Sequence, residues 1–184
     1  MKKLSRRARI ATGGAVIAAV TAATFGTVSA NASSSAPTAA AAVANVTSSS
    51  TTTSTHLTVD AAVDAAQAAL DAAEKEHQKV TVAVVDRNGN TIVTLRGDGA
   101  GPQSYESAQR KAYTAVSWNA PTSELAKRLE QTPNLKDIPG TLFLAGGAPV
   151  TDKGAPVAGI GVAGAPSGEL DEKFAAAGVA ALRR

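Results

Sequence analysis

The segment that most restricts the fold is residues 80–96, where two β-branched runs flank Asn88-Gly89. Val80-Thr81-Val82-Ala83-Val84-Val85-Asp86 leads into Arg87-Asn88-Gly89-Asn90, and Thr91-Ile92-Val93-Thr94-Leu95-Arg96 leads out. Asn-Gly tolerates the positive φ angles of a tight hairpin turn, so the two runs are expected to pair antiparallel.

Other elements follow from periodicity and breakers. From Thr58 to about Gln78, Val59, Val63, Ala66, Leu70 and Ala73 recur at spacings of three and four, which predicts an amphipathic helix capped by Thr58. Gly97 to Pro102 reads as a loop and Gln103 to Trp118 as a second helix. Pro121-Thr122-Ser123-Glu124 opens a third helix, running to about Gln131, before Pro133 and Pro139. Strands are expected at Thr141–Ala145, Ala148–Val150 and Ala155–Ala163, and Ser167 caps a closing helix through about Leu182. This order does not alternate β and α. It argues an α+β fold, an antiparallel sheet of about five strands with helices packed on it.

The chain begins with five basic residues (Lys2, Lys3, Arg6, Arg7, Arg9) and no acid, followed by a charge-free run through Ala30. That is the order of a secretory signal, and Val28-Ser29-Ala30 supplies small residues before a cleavage point. The run is too rich in Gly and Thr for a membrane anchor, which wants about 20 strongly apolar residues. Ser5-Arg6-Arg7 also matches the start of a twin-arginine signal. Ser33 to Thr55 then holds 13 Ser or Thr in 23 residues and no charge, a composition that cannot bury a core. The expected organisation is an export signal at 1–30, a flexible linker at 31–55, able to span a cell wall, and a folded domain at 56–184.

Cleavage changes the charge argument. The signal takes five of the 18 basic residues and leaves 13 against 15 acids, so the exported chain is mildly acidic. A nucleic-acid-binding reading loses its support. Cysteine is absent and Met1 is the only methionine, so the exported domain holds together by packing, without disulfides.

Several motifs bear on function. Gly159-Ile160-Gly161-Val162-Ala163-Gly164 has the spacing G-x-G-x-x-G, but its first two glycines fall inside a predicted strand rather than at a strand-to-helix turn. They read better as places where another backbone or a flat ligand approaches closely. His56 and His77 are the only imidazoles, at a linker junction and a helix end, so neither a nucleophile–base pair nor a zinc site is evident. Asp71/Glu74 and Glu169/Glu172 place two carboxylates on one helical face, a spacing that suits iron as well as an ordinary solvated surface. On the second helix, Tyr105, Ser107, Arg110, Lys111, Tyr113 and Thr114 interleave with Ala108, Ala112 and Ala115. There Arg110 and Lys111, with Arg96, could pair with an anionic ligand.

Several of these residues coincide with a known pattern: Val82-Ala83-Val84-Val85-Asp86-x-x-Gly89, Arg96-x-Asp98-Gly99-Ala100, Ser104, Lys111-Ala112-x-Thr114-Ala115, Gly146-Gly147-x-Pro149, Gly159-x-Gly161-Val162-x-Gly164, and Asp171-Glu172 with Ala175 to Gly178. In this order they resemble the GlcG/HbpS family, which includes the C-terminal domain of PduO-type proteins. The resemblance implies a profilin-like fold, a ring-like homo-oligomer such as an octamer, and haem binding at a site involving the second helix. It further implies secretion, haem acquisition or breakdown and, in the HbpS branch, signalling of redox or iron stress to a membrane sensor kinase. Gly97 departs from the family, whose members often carry an acid there.

Haem iron usually takes His, Met, Cys or Tyr. His56, His77, Tyr105 and Tyr113 remain, with Thr114 as a hydroxyl alternative. Its place in the Lys-Ala-x-Thr-Ala motif favours Thr114, with Tyr113 next. Lys111, Arg110, Tyr105 and Arg96 complete the expected haem surroundings. Asp71/Glu74 and Glu169/Glu172 are the expected iron sites.

Overall fold

The computed structural model describes residues 45–183. The expected export signal and most of the expected linker lie outside them. Residues 45–56 are exposed, and their single regular element is a 3₁₀ turn at Ser48–Ser50. The elements that follow are α1 (Val59–Lys75), β1 (Thr81–Asp86), β2 (Thr91–Arg96), α2 (Pro102–Trp118), α3 (Thr122–Arg128), a second 3₁₀ turn (Pro133–Asp137), β3 (Gly147–Asp152), β4 (Ala155–Ala163) and α4 (Gly168–Ala181).

The predicted hairpin forms β1 and β2. Asp86 closes the turn: its Oδ1 accepts from the amides of Asn88 and Asn90, each at 2.8 Å, and Gly89 takes φ +90°. A second hairpin joins β3 to β4, and pairing of β1 with β4 unites them in the antiparallel order β2-β1-β4-β3. The α+β architecture is as expected, with four strands rather than about five.

The missing strand is the segment Thr141–Ala145. Its side chains alternate between buried and exposed as in a strand, but no strand lies beside it. Side chains of α2 take its backbone groups instead. Arg110 Nη2 donates to the Thr141 carbonyl at 2.7 Å, and the Leu142 amide donates to Thr114 Oγ1 at 2.8 Å. Phe143 is buried edge-on against Trp118, at 5.1 Å between ring centres.

Helices cover both faces of the sheet, which is why β1 reads as a continuous apolar run. Val82, Val84, Ala158, Ile160 and Val162 face α1 and α4, with Phe174 and the alanines of those helices. Ala83, Val85 and Ala163 face α2. The α1 stripe is rotated from its predicted position: Ala62, Ala65, Ala66, Ala69 and Ala73 are buried, while Val59 and Val63 are exposed. The reason is the closeness of α4, since a Cβ on Gly178 would stand 2.7 Å from the Ala65 carbonyl. Only glycine and alanine fit such an approach. Both predicted caps form, Thr58 Oγ1 accepting from the Ala61 amide and Ser167 Oγ from the Leu170 amide.

α2 lies still closer to the sheet. A Cβ on Gly159 would stand 2.1 Å from the Ala112 carbonyl, and one on Gly161 would stand 2.1 Å from the Ala108 carbonyl. The G-x-G-x-x-G spacing therefore seats a helix backbone, the close-approach reading of the sequence. Gly161→Ala should destabilise the domain by about 3 kcal/mol or more, because the clash is with backbone and no side chain can yield. Chemical denaturation against a control such as Gly154→Ala, where added atoms meet nothing within 4 Å but φ is +83°, measures this directly.

Candidate functional site

Lys111 sits in the middle of α2, on the flank that faces the end of β4 and the start of α4. It is 2% exposed, and its Nζ donates to Asp171 Oδ2 at 2.8 Å and to the Val162 carbonyl at 3.0 Å. Asp171 is equally buried, and its Oδ1 accepts from the Ala165 amide at 3.0 Å. Gly146, at φ +130°, makes room for the ammonium: a Cβ there would stand 2.6 Å from Nζ. Burial pushes the Asp171 carboxyl above its ordinary range, and Lys111 and the amides of Ala165 and Gly164 offset only part of that.

The other predicted haem residues occupy different flanks of the same helix, except Arg96, which ends β2. Arg110, Tyr113 and Thr114 gather around the segment from Ile138 to Leu142. Thr114 is fully buried, and its hydroxyl donates to the Arg110 carbonyl at 2.7 Å while accepting from Leu142. Tyr113 is half-buried between two glycines. A Cβ on Gly89 would stand 2.7 Å from its ring and one on Gly140 would stand 3.6 Å away, and its hydroxyl has no hydrogen-bond partner among the described residues. Tyr105 is exposed, and Arg96 turns back to the Ala100 carbonyl at the end of β2. Lys111 lies about 200° around the helix from Tyr113, so these six residues do not form one cluster.

The acidic pairs also differ. Asp71 is exposed and accepts from Gln67 Nε2 at 2.6 Å, with Glu74 exposed one turn on. Glu172 is engaged across the α3 start: it accepts from the Ser123 amide at 2.9 Å, the Gly146 amide at 3.2 Å, and the hydroxyls of Ser123 and Thr122. Glu169, by contrast, is exposed. Among the described residues no three His, Asp or Glu side chains converge as a metal cluster would.

Sequence reasoning missed the roles of the buried Asp171 and the half-buried Glu172 as partners of other segments. Asp171-Glu172 belongs to the family pattern, but nothing local marks either carboxylate as turned inward. A cleft of about 380 Å³ opens above the ion pair, lined by Gln103, Ser107, Lys111, Leu144, Pro166 and Asp171 among others.

Fold and site define an open-sheet α+β domain whose polar ligand candidates ride mainly on one helix clamped to the sheet. The chain belongs to the HbpS-like family, since the family model described as haem degrading protein HbpS-like matches residues 57–180. It is similar to the crystal structure of HbpS at 75% identity and a TM-score of 0.74, over 74% of this chain and 97% of that one. It is also similar to a double Glu-to-Asp mutant of Streptomyces reticuli HbpS, at 74% identity and a TM-score of 0.75, over 77% of this chain and 97% of that one. A PduOC:haem complex resembles it at 27% identity and a TM-score of 0.63, over 69% of this chain and 95% of that one. No curated protein matches the chain.

Replacing Lys111 with Met leaves Asp171 buried without its cation, and should cost about 3–5 kcal/mol near neutral pH. The Asp171 carboxyl is raised in the folded state, so the folded form holds its proton more readily than the unfolded form. The corresponding stability is fully present below the ordinary carboxylate range and is lost as pH rises through the raised value. Lys111→Met should push that value higher still. Denaturation measured from pH 4 to 8 should therefore show the variant's deficit shrinking on acidification; a pH-independent deficit would contradict the assignment.

Proposed function

We propose that the exported chain is a secreted haem- and iron-binding protein, and that it acts as a redox- and iron-stress accessory to a membrane sensor histidine kinase of a two-component system. Family membership with 75% identity to HbpS is the observation that carries this reading. The exported form works as a homo-oligomer, with the octamer that the resemblance implies as the expected size.

The haem face is the side of α2 carrying Tyr113 and Arg110. Support for this comes from the half-buried Tyr113, whose ring is seated between Gly89 and Gly140 and whose hydroxyl has no hydrogen-bond partner among the described residues, with Arg110 three residues earlier on the same helix. Tyr is an established haem ligand, and Arg suits a haem carboxylate. Thr114 is the second choice, because its hydroxyl is already bonded to Arg110 and Leu142. Lys111 is removed from this face by its ion pair with Asp171, and Tyr105 and Arg96 border it at most. Bound haem would supply a redox-active iron, and these residues would hold and orient it.

For iron itself, the Asp71/Glu74 pair is the stronger candidate. Both carboxylates are exposed, whereas Glu172 of the other pair is committed to the start of α3. A second reading, haem breakdown in the same site, is favoured by the description of the family as haem degrading. It predicts loss of the haem band with release of iron under peroxide or a reductant, where a binding protein keeps the band.

Haemin titration of the exported chain should give a saturable Soret band. Tyr113→Phe should shift that band and weaken binding about tenfold or more, a larger effect than Thr114→Val. An unchanged spectrum in Tyr113→Phe would remove Tyr113 as the ligand. Calorimetry with ferrous iron should show uptake lost in Asp71→Ala/Glu74→Ala and retained in Glu169→Ala; the reverse pattern would move the iron site to α4.

A further inference from the structure

The cleft above Lys111 is not used by the haem reading. It lies between the first turns of α2 and α4, on the opposite side of α2 from Tyr113, and its volume of about 380 Å³ is at the small end of the range of organic-ligand sites. Its mouth carries the exposed side chain of Leu144, and its walls include Ala163, Ala165 and Pro166. These would hold an apolar body.

The floor is polar and incompletely satisfied. An ammonium has three N–H donors, and among the described residues Lys111 spends one on Asp171 and one on the Val162 carbonyl. The third has no protein acceptor there, on a side chain more than nine-tenths buried that lines the cavity. Ser107 and Gln103 line the same cavity, and among the described residues their side chains make no hydrogen bond. Charge decides which acceptor the spare N–H would find. Lys111 and Asp171 cancel; beside the cleft stand the start of α2, a 17-residue helix with no acid in its first turn, and the start of α4, whose positive end is offset by the exposed Glu169. The spare ammonium N–H and the acid-free start of α2 favour an acceptor with negative charge. Asp171 is itself held by the Ala165 amide, so a ligand would add to the pair and not displace it.

We propose that this cleft binds a small organic carboxylate, its charged end on Lys111 and its apolar body against Leu144, separately from haem. Butyrate is a suitable probe, with butyramide as its neutral counterpart. In amide NMR spectra of the exported chain, butyrate should cause saturable shifts confined to residues 103–111 and 163–171, and butyramide should bind about tenfold more weakly or worse. Ser107→Glu, on a half-buried position, places a like charge in the mouth and should abolish the butyrate shifts, while Ser107→Gln should retain them. The proposal is overturned if butyrate shifts are absent or scattered over the surface, if butyramide binds equally well, or if Ser107→Glu binds butyrate as the native chain does. It is also overturned if haemin abolishes the butyrate shifts, since that would make the cleft part of the haem site. Failure of haem binding itself would leave the butyrate result unaffected.

Discussion

The arrangement depends on how closely α2 rests on the sheet. Gly159 and Gly161 present bare backbone to the carbonyls of Ala112 and Ala108, and no side chain of any size fits between them. This brings Lys111 deep enough for its ammonium to reach both the end of β4 and the first turn of α4. It also places Arg110 and Thr114 where they can take the backbone groups of Thr141 and Leu142. A helix standing one side-chain layer further out would lose each of these contacts together.

The buried ions work in a similar way, joining segments distant in sequence. Lys111 and Asp171 tie α2 to α4, while Glu172, the next residue, gathers the amides of Ser123 and Gly146. Two adjacent residues of α4 thereby hold the central helix, the start of α3 and the loop before β3. A buried ion pair is a poor source of net stability, because desolvation offsets most of the attraction. Its effect here is on geometry: removing either partner strands a charge, so alternative packings of α4 against α2 are strongly disfavoured.

Much of the fold was legible in local pattern. The hairpin followed from Asn88-Gly89 between β-branched runs, and the helix caps at Thr58 and Ser167 followed from residue type and position. Where the reading slipped, the cause was tertiary. Thr141–Ala145 has the alternation of a strand, yet its hydrogen bonds go to side chains of α2, which no local pattern reports. The stripe through Val59 and Val63 is the more hydrophobic face of α1, but the approach of Gly178 selects the alanine face beside it. Apolar periodicity locates a helix reliably and its rotation only to within about one residue, because small side chains gain in closeness of packing what they lack in area.

The candidate site divides along the same line. Sequence by itself determined the family, the helix that carries the ligand candidates, and the chemical types available: two tyrosines, a basic pair, a threonine and paired carboxylates on helices. It also determined that cysteine is absent and that Met1 is the only methionine. Only the tertiary structure decided which of these groups are free. Thr114 and Glu172 are occupied by hydrogen bonds, Lys111 belongs to Asp171, and Tyr113, its ring between two glycines, keeps a hydroxyl with no partner among the described residues. The physical reason is that a polar group's availability depends on what meets it across space. For Thr114, Glu172 and Lys111 the partners outside their own helix lie 26 to 60 residues away in sequence, and are set by how closely the helices seat on the sheet.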